Sequence, residues 1–191
     1  MSQQLFEHLN RFVQISKGDF KDIIEFFEVK KVEKKEVLAR AGTLCNSIFF
    51  VEKGCLRMYF ISEKGIEQTI QFALENWWMT DDLAYTERNP SDFYIQAVEN
   101  AQVLSISYDQ QERLLHTFPQ LEKYFRRVYQ IAYGSSIRKM KYLNSFSKEE
   151  IYFHFTAHFP EFAQRVPQYL IASFLGLTPE YVSEIRAKKR S

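Results

Sequence analysis

The sequence predicts an α+β protein in which a strand-rich domain is followed by a long helix and a short helical domain. From about residue 34 to 108 the chain is rich in β-branched and aromatic residues and has turn signals at close spacing. From Phe118 onward the apolar residues recur every three or four positions. We therefore expect an antiparallel β-roll of the jelly-roll type in residues 1–116, a long helix in 117–145 and a helical domain in 146–191.

Composition and charge limit the class of protein. The 191 residues are 46% hydrophobic and carry a formal net charge of +1, so any nucleic-acid-binding surface has to be a local patch. The apolar runs are too short to span a membrane, and the N-terminal residues are too polar for a signal peptide. Cys45 and Cys55 are too few for a disulfide scaffold or a cysteine metal site. We expect a cytoplasmic bacterial protein with reduced thiols, no metal and no other cofactor.

The strand-rich domain has helical and turn signals at recognisable places. Residues 3–27 carry a helical spacing that is broken at Lys17-Gly18-Asp19, which predicts two short helices. Hairpin turns are predicted at Lys53-Gly54 and at Glu63-Lys64-Gly65. Another strand pair is predicted across Glu99-Asn100.

A long helix is predicted over residues 119–143, with Pro119 in its first turn. Its apolar stripe is too broad to pack against the β-roll alone, which predicts that a second copy of the chain covers the other side. Gly134 is costly in the middle of a helix and suits a close approach of two helices. The residues predicted to form this dimer interface are Leu121, Phe125, Val128, Ala132 and Ser135, and the stripe is broadened by Tyr124, Ile131, Ile137 and Met140.

The last forty-five residues predict a helix-turn-helix. A capping box at Ser147 and Glu150 opens a helix that runs to about His158, and the segment 159–167 is predicted to be a connector. A helix from Gln168 to Leu175 follows. Gly176 allows the left-handed conformation that ends this helix, and Thr178 is suited to cap the next one. Ala172 is small where the second helix crosses, Leu177 is predicted to fill the core in the turn, and Val182 and Ile185 form the buried face of the second helix. The spacing of Ala172, Gly176, Val182 and Ile185 is that of a helix-turn-helix.

The exposed residues of this motif are predicted to contact duplex DNA. Residues near the start of the second helix would face base edges, and Glu180 could accept a hydrogen bond from cytosine N4. The basic residues that follow suit phosphate contacts. The predicted DNA-binding residues are Gln168, Tyr169, Thr178, Glu180, Tyr181, Ser183, Glu184, Arg186, Lys188, Lys189 and Arg190.

This order of segments resembles the Crp/Fnr family of bacterial transcription regulators, in a form similar to Bacteroidetes-type members. The resemblance is clearest in KKEVLARAGTLCNSIFFVEKGCLRMYF, in ENWWMTDDL through QAVENAQVLSIS, and in VPQYLIASFLGLTPEYVSEIR. It implies a homodimer joined along the long helix, binding to double-stranded DNA and action on RNA polymerase. The helix-turn-helix domain is expected to lack the family's full β-hairpin wing, with the basic tail in its place. It also implies a β-roll that senses a small-molecule effector, which the sequence does not identify.

The sequence departs from the family where nucleotide-binding members hold the phosphate. Those members carry Gly-Glu and, about ten residues later, an arginine, whereas this chain has Thr80-Asp81 or Asp81-Asp82 and then Ser91 or Asp92. A carboxylate repels a phosphate, so we expect no cyclic nucleotide to bind unless Arg57 or Arg88 takes the arginine's place. The predicted effector pocket consists of Phe72, Trp77, Trp78, Asp81, Asp82, Ser91, Asp92 and Tyr94.

Two other classes of function stay open on the sequence. A cupin-like small-barrel enzyme would need metal ligands inside the barrel, whereas the histidines lie outside the strand region and only His154 and His158 are spaced as a ligand pair. We therefore expect no catalytic residues. The acidic Glu180 and Glu184 allow a signalling module that binds proteins and not DNA. Binding to duplex DNA at low salt distinguishes these classes from a regulator.

Overall fold

The computed structural model describes the backbone of residues 2–190 and the side chains of residues 2–188. It confirms the α+β class, with antiparallel sheets followed by helices. The strands are β1 Glu28–Val32, β2 Val37–Ala39, β3 Ser47–Lys53, β4 Leu56–Ile61, β5 Glu67–Ala73, β6 Trp78–Met79, β7 Tyr94–Ala97 and β8 Ala101–Ser107. The helices are α1 Gln3–Asn10, α2 Lys17–Ile24, α3 Asp82–Glu87, α4 Tyr108–Thr117, α5 Leu121–Ser145, α6 Lys148–His158, α7 Pro160–Arg165, α8 Gln168–Phe174 and α9 Pro179–Arg190.

The strands form two four-stranded sheets, in the orders β1-β8-β3-β6 and β2-β7-β4-β5. The turn at Glu63-Lys64-Gly65 joins the neighbouring strands β4 and β5, as predicted. The predicted strand pairs across Lys53-Gly54 and Glu99-Asn100 are wrong, because each of these turns carries the chain from one sheet to the other. A turn signal shows where a strand ends, but it does not show which strand becomes its partner.

The two turns that change sheets lie against each other. Gly54 has a φ of +101°, and a Cβ atom there would lie 2.5 Å from the Cβ of Ala101 and 2.9 Å from the carbonyl oxygen of Asn100. The N–H of Val98 donates a 2.8 Å hydrogen bond to the carbonyl of Cys55 beside this contact. Only glycine fits this position, because the backbone of one turn occupies the place of a side chain on the other.

The first compact unit comprises the chain up to Phe60 together with residues 72–131. Its core joins helices α1, α2 and α4 and the start of α5 to the sheet that contains β3 and β8. Leu121 and Phe125 are buried in this core, being 1% and 5% exposed, and Val128 packs against it. These members of the predicted dimer stripe therefore pack within the chain, because the first turns of α5 are needed to cover the sheet.

The second compact unit comprises residues 61–71 and the chain from 132 onward. The boundary between the two compact units therefore falls within β5 and within α5. The division into residues 1–116, 117–145 and 146–191 was based on the expected role of each segment and stays a prediction. The capping box of α6 is present: the Ser147 hydroxyl accepts a 3.3 Å hydrogen bond from the Glu150 N–H, and the Glu150 carboxylate accepts one of 2.8 Å from the Ser147 N–H.

Three local predictions differ from the structure. The first two helices are separated by residues 11–16 and not at Gly18, which lies inside α2 because the Ser16 hydroxyl caps that helix. The predicted connector 159–167 contains α7, with Pro160 in its first turn. Helix α4, capped by Ser107, fills a segment for which the sequence predicts no element. No helix in the described part of the chain is both long enough and apolar enough to cross a membrane.

Candidate nucleic-acid interface and effector region

Helices α8 and α9 are joined by a turn that is built as the sequence predicts. Gly176 has a φ of +71°, a conformation that an L-residue with a side chain seldom adopts. The N–H of Leu177 donates a 2.9 Å hydrogen bond to the carbonyl of Ala172 and so ends α8. The hydroxyl of Thr178 then accepts a 3.2 Å hydrogen bond from the N–H of Tyr181 and caps α9.

The crossing of the two helices is closely packed. Ala172 and Val182 have no exposed surface, and Ile185 is 2% exposed. Leu177 in the turn is also buried. These four residues, which the sequence predicts to be buried in the motif, are therefore buried where α8 packs against α9.

Most of the predicted DNA-binding residues have free surface on this motif. Tyr181 and Gln168 are half-buried, and the phosphate contacts predicted for Lys189 and Arg190 lie outside the described side chains. The exposed members are Tyr169, Thr178, Glu180, Ser183, Glu184 and Lys188. The Lys188 ammonium lies 2.6 Å from the Glu184 carboxylate, so the two charges on this part of α9 offset each other.

Arg186 lies apart from these exposed residues. Its side chain is half-buried, and its guanidinium group donates a hydrogen bond to the side-chain oxygen of Gln168. Both residues line a groove between helices α6, α7, α8 and α9, together with Tyr152 and Thr156. The sequence predicts a phosphate contact for Arg186, but this bond directs its side chain back toward the start of α8 and into the fold of the motif.

The acidic residues of the predicted effector pocket are brought together at the start of α3. One oxygen of Asp81 accepts a 3.3 Å hydrogen bond from the N–H of Ala84 and caps the helix. The other oxygen accepts bonds from the Ser91 hydroxyl at 2.9 Å and from the Asp92 N–H at 3.4 Å. A carboxylate of the protein thus uses the hydrogen-bond donors that an anionic ligand would need.

The electrostatics of this region oppose a further negative charge. Desolvation and then the charge of Asp81 raise the pKa of Asp82, the first residue of α3, to about 6. Desolvation and the charge of Asp82 raise the pKa of Tyr129 to about 12. Asp81 thus places a negative charge beside Asp82, and a phosphodiester bound here would meet the same repulsion.

The remaining predicted pocket residues lie in different surroundings. The indole of Trp78 donates a 2.7 Å hydrogen bond to the Tyr124 hydroxyl and packs in the core of the first unit, which leaves it no free face for a ligand. Trp77 is 52% exposed, whereas Phe72 is buried. Tyr94 stacks on a tyrosine of the neighbouring strand. The structure therefore brings together the acidic group of the predicted pocket but not the tryptophan pair.

Arg57 on the second sheet belongs to a cluster with Gln96, Tyr59 and Tyr94. Arg57 is 4% exposed, and its guanidinium group donates two hydrogen bonds, of 2.9 and 2.6 Å, to the side-chain oxygen of Gln96. It also lies 4.0 Å from the ring centre of Tyr59. Arg88 forms an ion pair of 3.2 Å with Asp109. Both arginines that could offset a phosphate are thus held by protein groups.

This cluster depends on a register that no local signal reveals. The pairing of β4 with β7 places Arg57 opposite Gln96 and Tyr59 opposite Tyr94. The two tyrosine rings are parallel to within 17°, with their centres 5.1 Å apart. The pairs become visible only when two strands about forty positions apart are aligned. Among the described residues, no three His, Cys, Asp or Glu side chains are grouped so that they could hold a metal ion.

The chain is similar to a known domain family and to known regulatory proteins. Residues 29–118 match the cyclic nucleotide-binding domain family. The chain is 29% identical to the anaerobic regulatory protein of Haemophilus influenzae, over 82% of this chain and 64% of that protein. It is 24% identical to the fumarate and nitrate reduction regulatory protein of Vibrio cholerae, over 90% and 72% of the two chains. The match thus spans less than two thirds of the Haemophilus influenzae protein.

Solved structures share the fold. The c-di-GMP responsive global regulator CLP of Xanthomonas campestris is similar with a TM-score of 0.74 and 13% identity, over 92% of each chain. A CooA mutant from Carboxydothermus hydrogenoformans is similar with a TM-score of 0.68 and 19% identity, over 100% of this chain and 85% of that one. At these identities the likeness supports the fold of both the strand-rich and the helical part.

Proposed function

We propose that this chain, which belongs to the Crp/Fnr family of transcription regulators, binds duplex DNA as a homodimer and has a β-roll that takes no cyclic nucleotide. The family follows from the domain match and from the relatives named above. The observation that carries DNA binding is the helix-turn-helix of α8 and α9, in which the crossing residues are buried while one side of α9 is open to solvent. As a DNA-bound regulator, it would act on RNA polymerase.

The exposed side of α9 supports contact with DNA bases and phosphates. Glu180 lies in the first turn of the helix, where side chains reach base edges when such a helix enters the major groove. Tyr169 is 51% exposed near the start of α8 and has a hydroxyl suited to a phosphate. Lys188 lies two turns after Glu180, where a basic side chain meets the DNA backbone.

A second copy of the chain accounts for the exposed apolar face of α5. Tyr133, Ile137 and Met140 are 71%, 46% and 60% exposed. They follow one another at spacings of four and three residues and therefore share one face of the helix. At about 100° per residue, this face lies roughly a third of a turn around the helix from the one that Leu121 and Phe125 bury, so the dimer surface we propose is displaced from the predicted stripe. A second copy of α5 would cover it.

The hydrogen bonds that the Asp81 carboxylate accepts support a sensor domain that binds no cyclic nucleotide. A phosphodiester would have to displace a carboxylate that is bonded to Ser91 and to the start of α3. The described arginines nearest in sequence, Arg57 and Arg88, have partners of their own. We assign no effector to the β-roll and no catalytic reaction to the protein.

Binding to duplex DNA at varied salt tests the proposal. Duplexes selected from a random library by the full-length protein, and measured by fluorescence anisotropy, should bind at about 50 mM salt and weaken steeply as salt rises. Lys188→Ala should weaken binding to every duplex and lower the salt slope by about 1, since one phosphate contact is lost. Arg186→Ala is the matched comparison, because it removes an equal charge that the fold uses internally.

The two variants give different results if the geometry holds. Arg186→Ala should lower the melting temperature of the protein and change the salt slope little, because its guanidinium group is bonded to Gln168. A wild-type protein that selects no duplex and binds none at low salt would contradict the proposal. It would favour a module that binds proteins through the acidic Glu180 and Glu184.

A further inference from the structure

One hydroxyl group of α8 occupies the free edge of a β-strand. Within the described residues, β5 is the last strand in the order of the second sheet, so one side of its backbone has no neighbouring strand. The Ser173 hydroxyl accepts a 2.8 Å hydrogen bond from the Thr69 N–H and donates one of 3.1 Å to the Glu67 carbonyl. The backbone N–H and C=O groups of residues two apart point to the same side of a strand. The Ser173 hydroxyl therefore makes the two hydrogen bonds, one as acceptor and one as donor, that an adjacent strand would make.

A side chain of the long helix α5 also contacts both β5 and α8. The Lys139 ammonium group donates a 2.8 Å hydrogen bond to the carbonyl of Ile70, also in β5. The same ammonium lies 3.5 Å from the ring centre of Phe174, the residue after Ser173 in α8. Lys139 therefore contacts both the strand and the helix that Ser173 joins, and all of these residues belong to the second compact unit.

The side of α8 that carries these contacts is not the side that carries α9. Ile171, Ala172 and Leu175 are buried, and α8 packs against α9. At about 100° per residue, Ser173 points roughly 150° away from the middle of that buried face. The contact with β5 therefore fixes α8 from behind and leaves the exposed face of α9 uncovered.

We propose that Ser173 is a positioning residue for DNA binding, which holds the helix-turn-helix on the edge of β5, with Lys139 as a second anchor. This inference rests on the proposed DNA-binding function. Two hydrogen bonds to one hydroxyl fix both the distance and the rotation of α8 relative to residues 67–70. When they are lost, the motif samples other orientations, and the apparent affinity falls with the fraction of molecules in the competent one.

Valine and threonine at position 173 provide a matched test, because the two side chains have the same shape and differ in the hydroxyl group. In Ser173→Val, the Thr69 amide should exchange hydrogen at least about tenfold faster, and the dissociation constant for a selected duplex should rise by about three- to tenfold. The salt slope should stay unchanged, since no phosphate contact is removed. Ser173→Thr should behave like the wild-type protein in both measurements.

The outcomes separate this inference from the function on which it rests. If the wild-type protein binds no duplex, the proposed function fails. If it binds and Ser173→Val binds equally well, only the positioning role is overturned, whatever the Thr69 amide does. Should Ser173→Val not fold, Lys139→Met takes its place, because it keeps an unbranched side chain of similar length and loses the ammonium group, with both its bond to Ile70 and its contact with the Phe174 ring. It should raise the dissociation constant in the same direction, and an unchanged value would overturn the role.

Discussion

The hydroxyl group of Tyr124 lies 2.7 Å from the indole nitrogen of Trp78 and 2.7 Å from Nδ1 of His8. The indole N–H can only donate, so the Tyr124 oxygen accepts there and gives its own hydrogen to His8. His8 therefore accepts at Nδ1 and carries its proton on Nε2, which makes the ring neutral. The three side chains are almost fully buried and connect α1, β6 and α5 through one hydroxyl.

Stability should fall in mild acid because of His8. Desolvation and then the charge of Arg11 lower its pKa to about 4. An unfolded histidine titrates near 6.5, so the unfolded chain binds more protons between about pH 6.5 and 4. The stabilisation is complete above about pH 6.5 and is lost as the pH falls through this range, by about 3 kcal/mol in all. Urea unfolding at pH 7.5 and 4.5 measures the difference.

Two histidine variants control this experiment. His8→Gln keeps a hydrogen-bond acceptor for Tyr124 but does not titrate, so it should remove most of the loss in acid. His116→Gln replaces an exposed histidine on α4 and should leave the loss intact. Equal pH dependence in the wild-type protein and in His8→Gln would show that other groups are responsible.

Replacing Gly54 should cost far more stability than replacing Gly65. Gly54→Ala forces a left-handed φ on a side chain and drives its Cβ into the Ala101 turn, so we expect a loss of about 3 kcal/mol or more. Gly65 has a φ of +75° and no atom within 4 Å of the place where a Cβ would lie, so its alanine variant should lose about 1 kcal/mol from backbone strain alone. Urea unfolding measures the free energy of unfolding of both variants. Equal losses of stability would show that the turn at Gly54 does not pack closely against the turn at Ala101.

Ile137→Glu should convert the proposed dimer to monomers. The residue is 46% exposed in the single chain and lies in the middle of the apolar face of α5. Burying its carboxylate in an interface should cost about 3 kcal/mol or more, which is at least about a hundredfold in the dissociation constant. Sedimentation at micromolar concentration measures this. Arg138→Glu, one position further round the helix, is the control and should stay dimeric. A monomeric wild-type protein would refute the proposed interface.

Cyclic AMP and cyclic GMP should not bind the β-roll with useful affinity. A carboxylate about 4 Å from the phosphate costs roughly 4 kcal/mol at an effective dielectric constant near 20, or about a thousandfold in affinity. Asp81→Asn can cap α3 through its amide oxygen, but it removes the charge and the acceptor for Ser91 and Asp92, so it should bind these nucleotides more tightly than the wild type. Isothermal titration measures both proteins. A wild-type dissociation constant below about 10 μM would mean that the nucleotide binds elsewhere or displaces Asp81.

Features that depend on neighbouring residues could be predicted from the amino-acid sequence alone. Gly176 and Thr178 define the turn between α8 and α9, and Ser147 and Glu150 define the start of α6, because a left-handed glycine and a helix cap act within one turn of the chain. The acidic group at Asp81 was also evident as a departure from a known pattern. The Bacteroidetes-type assignment stays a prediction.

Contacts between residues that are far apart in the sequence became visible only in the folded structure. The turn at Gly54 connects strands of two different sheets and does not form a hairpin. Leu121 is buried in the core, whereas Ile137 is exposed. The Arg186 side chain is hydrogen-bonded to Gln168. Ser173 was not singled out at all, since a serine in a helix carries no signal for the edge of a strand one hundred residues earlier. Local propensities set each element, but partners are chosen by burial and by hydrogen bonds between distant segments, and these exist only once the chain has folded.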